Sequence, residues 1–190
     1  MKKYISIMVV LISMSFVPAN AQYDSLRNVL KIGAHYQVFG LEGRRTEAAA
    51  WGLSYERSTG YFTSWTLDIS FIERVEEPEE LNQNVPQYND IFQVKVGFRR
   101  YFDQSLKGIF AGGAVAMGIP KENGMSWELD GTFGYQFRHK RISIEALADI
   151  GIGSMRFQED QYVNGILVSQ EKFYGVGFLF RPILRMGLAL

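Results

Sequence analysis

The chain contains no cysteine, so it has no disulfide framework, no thiolate metal site and no lipid anchor carried on a cysteine. Histidine is nearly as scarce, with His35 and His139 the only two. A surplus of charge is also missing: 20 Lys and Arg face 20 Asp and Glu, a balance that gives nucleic acid nothing to bind. A membrane-spanning helix is lacking as well. The mostly greasy closing stretch, "YGVGFLFRPILRMGLAL", carries Gly175, Gly177, Pro182 and Gly187, each of which weakens a helix. Arg181 and Arg185 further spoil it as a helical span, which wants about 20 apolar residues.

Taken at alternate positions, the same stretch becomes orderly. Val176, Phe178, Phe180, Leu184, Met186, Leu188 and Leu190 fall on one side. Gly177, Leu179, Arg181, Ile183, Arg185 and Gly187 fall on the other. A period of two makes this a long strand with one oily face. Glycine (19 residues) and aromatics (14%) are both plentiful, which suits strands and tight turns.

Residues 1–21 form an address rather than structure. Lys2 and Lys3 precede the apolar run from Tyr4 to Val17, and Pro18 leads into Ala19-Asn20-Ala21. A basic start, a short apolar core and a small-x-small site predict a signal peptide cleaved after Ala21. The expected mature domain is 22–190, with 18 basic residues (20 less Lys2 and Lys3) against 20 acidic ones.

Alternation recurs through that domain and predicts seven strands before the tail. Inward candidates on the first are Lys31, Gly33, His35 and Gln37; on the second, Ser54 and Glu56; on the third, Ser64, Thr66, Asp68 and Ser70. The fourth offers Gln93, Lys95 and Arg99; the sixth Glu128, Asp130, Thr132 and Gln136; the seventh Ser143, Glu145 and Asp149. The fifth, with Ile109, Val115, Met117 and Ile119 on one face, has no charge on its other face (Phe110, Gly112, Ala114, Ala116). "RSTG", "DQSLKG" and "HKR" are tight breaks, whereas "LEGRR", "ERVEEPEELNQNVPQYND", "PKENG" and "QEDQYVNGILVSQEK" form the opposite set, two of them long. Eight strands with loops of unequal length predict an all-β, eight-stranded antiparallel up-and-down transmembrane barrel.

A lipocalin-type soluble barrel would turn the oily face inward. The inventory argues against it, because that face holds more aromatic bulk than an eight-stranded lumen accommodates. The other face carries six basic residues (Lys31, Lys95, Arg99, Arg138, Arg181, Arg185) and six acidic ones (Glu56, Asp68, Glu128, Asp130, Glu145, Asp149). Such a balanced set suits a buried polar plug. Arg181 and Arg185 are expected to point into the lumen and meet Glu145, Asp149 or carboxylates across the barrel.

Across nearly all of the mature region the chain resembles the small eight-stranded outer-membrane barrels of the OmpA- and OmpX-like class. "VKVGFRRYFDQSLKGIFAGGAVAMG" resembles their hairpin of an aromatic-ended strand, a short turn and a glycine-rich return. "RMGLAL" resembles the closing-strand signal read by the barrel assembly machinery, although it ends on Leu190 where an aromatic residue is usual. Pro182 removes a ladder donor, so a bulge is expected there. The resemblance implies residence in the outer membrane, contact with its lipids and with the assembly machinery, and a monomer. It carries no site residues across.

Three functions remain on such a scaffold: a structural or surface-interaction barrel, an enzyme acting on outer-membrane lipid, and a narrow pore. An enzyme needs a nucleophile and a base at the rim. His35 instead points inward, where it is expected to join a hydrogen-bond network, and His139 sits in a turn with no His-x-Ser pairing. Gly-x-Gly at Gly151 and Gly175 precedes no helix, so it makes no phosphate loop. Glu73, Glu76, Glu77, Glu79 and Glu80 lack the spacing of a calcium loop and read as a solvated loop that is free to bind a surface ligand. The sequence therefore assigns no catalytic, cofactor or metal residue, and a non-enzymatic barrel leads.

Overall fold

The computed structural model describes residues 27–41, 44–74, 87–88, 91–120, 125–163 and 166–190. The expected signal peptide and Glu76, Glu77, Glu79 and Glu80 lie outside them. In chain order the strands are β1 (Asn28–Leu41), β2 (Arg44–Ser58), β3 (Thr63–Arg74), β4 (Gln87–Tyr88), β5 (Ile91–Tyr101), β6 (Gly108–Pro120), β7 (Ser126–His139), β8 (Ile142–Val163) and β9 (Ile166–Ala189). Setting aside the two-residue β4, eight long strands pair antiparallel, each with the next, and β9 pairs with both β8 and β1. The sheet therefore closes into an up-and-down barrel, which leaves no free edge around its body.

Period-two alternation decides which way each residue faces. Ile32, Trp51, Phe98, Ile109, Leu129 and Leu184 are exposed on the outside, while Lys31, Glu56, Arg99, Glu128 and Arg185 are buried within. The oily face is the outer one, and the lipocalin arrangement is reversed. β6 follows the same rule, with Ile109, Val115, Met117 and Ile119 outward and Phe110, Ala114 and Ala116 inward. The small Ala114 and Ala116 leave room for the long basic side chains nearby.

The short connections gather at one end and brace one another. Tyr101 N donates to Phe62 O at 2.6 Å, and Ser105 N donates to Tyr61 O at 2.7 Å, tying the β5–β6 turn to the β2–β3 turn. Leu106 adopts φ 64° in that turn, a left-handed conformation uncommon for a bulky residue. It is offset by burial, for Leu106 is only 1% exposed and closes the short-turn end with Val29 and Ala189. The far end has an apolar layer of its own, formed by Phe39, Ala48, Ala50, Ile72, Ile91 and Leu179.

The structure corrects three expectations. "QEDQYVNGILVSQEK" is largely strand rather than loop: β8 and β9 stay paired from Met155↔Gly175 out to Val163↔Ile166, with a register shift at Gln161/Tyr162. This extension runs beyond the last β7–β8 pair, Trp127↔Ser154, for about 30 Å at the usual rise per residue, and β4 pairs with it at Phe157 and Gln158. Pro182 makes no bulge. It pairs with Ala148 in unbroken register, and the β1–β9 ladder skips from His35↔Ile183 to Val38↔Phe180 without shifting. A missing donor interrupts one ladder, but no residue has been added to displace it. Arg138, at the turn end of β7, is half-buried rather than inside.

Candidate functional site

The interior is the chemically distinctive part of the molecule. Five cations (Lys31, Lys95, Arg99, Arg181, Arg185) and six carboxylates (Glu56, Asp68, Glu128, Asp130, Glu145, Asp149) are buried there. Each reaches the lumen because its strand alternates, and barrel closure brings together residues more than a hundred positions apart in sequence.

In the half nearer the short turns, Glu56 and Glu145 face Lys31 and Arg99. Lys31 Nζ donates to Glu56 Oε2 at 2.5 Å, to Gln136 Oε1 at 3.1 Å, and to Glu145. Arg99 Nη1 donates to Glu145 Oε2 at 2.6 Å and Glu56 Oε2 at 3.1 Å, while its Nη2 reaches Glu145 Oε1 at 3.3 Å. Ser64 Oγ donates to Glu56 Oε1 at 2.5 Å, and the Tyr101 hydroxyl stands 2.7 Å from that same oxygen. The Arg99 guanidinium also lies 4.5 Å from the centre of the Phe110 ring, a cation–π placement.

Arg185 links this half to the other. Its Nη2 donates to Asp68 Oδ2 at 2.9 Å, and its Nη1 donates to Ser54 Oγ at 3.2 Å and Glu145 Oε1 at 3.3 Å. Towards the long connections, Arg181 donates through Nη2 to Glu128 Oε2 at 2.5 Å and through Nε and Nη2 to Gln37 Oε1. Lys95 donates to Asp149, whose other oxygen accepts from Thr132 Oγ1 at 2.6 Å. Asp130 stands 3.5 Å from Lys95 and 3.6 Å from Arg181. These are ion pairs without a hydrogen bond, since neither of its oxygens accepts one from the protein.

Arg181 and Arg185 point into the lumen as expected, and Asp149 (3.6 Å) and Glu145 (3.3 Å) are among their partners. Their shortest ion pairs are nevertheless with Glu128 and Asp68. Sequence reasoning placed Gln136 on the inner face without giving it a role, and it missed Tyr101, whose hydroxyl joins the network from the end of β5. The signal available was its phase: Tyr101 continues the Lys95, Gly97, Arg99 series. His35 faces inward on β1, but its Nε2 has no hydrogen-bond partner in the protein, so that atom does not join the network. His139 is exposed at the end of β7. Among the described residues, no group of three or more His, Cys, Asp or Glu could hold a metal ion.

No protein-family model and no curated protein matches this chain. Among solved structures, it is similar to the translocator domain of the autotransporter NalP from Neisseria meningitidis, at 8% identity and a TM-score of 0.34, over 100% of this chain and 96% of that one. At that score the barrel assignment rests on the chain's own closed strand pairing. The arrangement can hold the eight strands together through cross-lumen ion pairs.

Proposed function

We propose that this protein is an outer-membrane β-barrel with a structural or surface-interaction role and an interior closed to ions. The observation that carries the reading is the reversed distribution of polarity. Apolar side chains, among them Trp51, Phe98, Phe133, Phe178 and Leu184, are exposed around the circumference, and the paired charges are inside. A soluble monomer seldom exposes a contiguous apolar patch beyond about 300–600 Å², and a belt around the whole barrel exceeds that. Lipid removes the penalty. Barrel strands of 11–15 residues (β1, β2, β3, β5, β6, β7) meet or exceed the 9–11 that a tilted strand needs to cross a bilayer.

In this reading residues 1–21 are removed on export, the assembly machinery inserts the chain as a monomer, and the short turns face the periplasm. The β8–β9 extension then stands outside the cell, a frame on which a surface ligand could be met. The lipid-enzyme reading gains nothing from His35, which lies in the lumen rather than at the rim and whose Nε2 bonds no side chain that it could activate. The pore reading is opposed by the apolar layers at both ends of the lumen.

Two measurements test the proposal. The protein should fractionate with the outer membrane, and on intact cells Glu77→Cys should react with an impermeant thiol reagent while Gln104→Cys does not. A reversed labelling pattern overturns the orientation, and recovery in a soluble fraction overturns the membrane assignment. In planar bilayers, the reconstituted protein should show no steady conductance above the lipid background. A steady open channel would mean that the charge network does not fill the lumen.

A further inference from the structure

We infer that the lumen holds a buried water site between β1, β2, β3 and β5, at His35, Asp68 and Gln93. One row of paired positions across the wall, Gly33↔Gly52, Gly52↔Ser70 and Ser70↔Gln93, carries three small residues in succession, and all four residues line a cavity. The cavity offers ≈ 20 Å³ to the centre of a water molecule. One water needs about 10–15 Å³ on that measure, so the space admits one water, or two in contact, and nothing larger.

The lining supplies what water requires. Three of its side chains each present a buried polar atom with no partner in the protein: His35 Nε2, Asp68 Oδ1 and Gln93 Nε2. Asp68 and Gln93 are 6% and 2% exposed, so bulk solvent does not serve them, and buried polar groups are satisfied in nearly all native proteins. Asp68 Oδ1 accepts, Gln93 Nε2 donates, and His35 Nε2 can be served in either sense. Water, with two protons and two lone pairs, meets this mixed set. Lys95, Arg181 and Arg185 also line the cavity and repel a bare cation, while the Asp68 carboxylate repels an anion. The site lies inside the barrel whatever surrounds it, so its test stands apart from that of the membrane reading.

The experiment uses the folded protein in micelles and follows magnetisation transfer from water to the Gln93 side-chain amide and to the His35 ring. We expect cross-peaks with the sign of a long-lived bound water. Ser70→Val, which fills the cavity with methyl groups, should abolish them and lower the urea midpoint, because the three polar atoms are then left unserved. A dry cavity predicts the reverse: no cross-peak in the parent protein, and a midpoint raised by filling a void. Gln93→Met, which keeps the volume but removes the donor, should weaken the His35 cross-peak, and an unchanged signal overturns the site. Should neither variant fold, the parent cross-peaks decide.

Discussion

Glu145→Leu is expected to leave the barrel barely able to fold, the largest loss from any single change in the lumen. Glu145 is fully buried on β8 and takes hydrogen bonds from Lys31 on β1, Arg99 on β5 and Arg185 on β9. Leucine would leave those three cations to Glu56 and Asp68, which already serve them. Removing one partner from a buried ion pair costs about 3–5 kcal/mol, because a charge is left uncompensated away from water. Three cations that lose a shared carboxylate at once put the loss at the upper end of that range, against a total stability on the order of 5–15 kcal/mol. The measurement is urea unfolding in detergent, with the faster gel migration of the unheated barrel as the sign of the folded state. Glu145→Gln, which keeps an acceptor in place, should fold with a lowered midpoint. Adding Lys31→Met to Glu145→Leu should recover part of the loss, since the two residues share one network and their effects do not add. A Glu145→Leu midpoint equal to that of the parent would mean that the network does not hold the barrel together.

That network was only half legible in the sequence, for a physical reason. Alternation is a local property, and it named the inward face of every strand, down to Lys31, Asp68, Glu128 and Arg185. Which cation meets which carboxylate depends on closure and on the stagger between strands, and both are set by the whole barrel. Arg185 lies beside Glu145 in the ladder yet makes its shortest ion pair with Asp68, across the lumen on β3. The apolar end layers were missed because Phe39, Ile72 and Leu179 sit in the polar phase of their strands. Such out-of-phase hydrophobes near a strand end mark a plug. The long β8–β9 hairpin was hidden because its residues, "QEDQY" above all, look like a loop when no alternation with an oily face is required of them. Beyond the barrel rim, strand pairing proceeds without that requirement.

A pair of neighbouring substitutions on β9 should give opposite signatures and settle what solvent surrounds the barrel. Leu184 is 63% exposed on the outer face, and Arg185 is 7% exposed in the lumen. The two are adjacent in sequence, and the pleat sends them to opposite sides. Arg185→Leu removes the donor to Asp68 and the contact to Glu145, leaving Asp68 buried without its cation. It should lower the unfolding free energy read from urea melts by several kcal/mol in any solvent. Leu184→Arg touches none of these pairs. On a barrel standing in water it would place a charge on an exposed site and change stability by less than about 0.5 kcal/mol. On a barrel crossing a bilayer near its midplane, arginine costs about 2–4 kcal/mol on the lipid face. Refolding into phospholipid vesicles should therefore show a marked loss for Leu184→Arg, and the loss should shrink in short-chain detergent, where water lies closer. An unchanged midpoint for Leu184→Arg in vesicles would remove the membrane from this account and leave an inside-out soluble barrel to be explained, because the inward position of Arg185 holds either way.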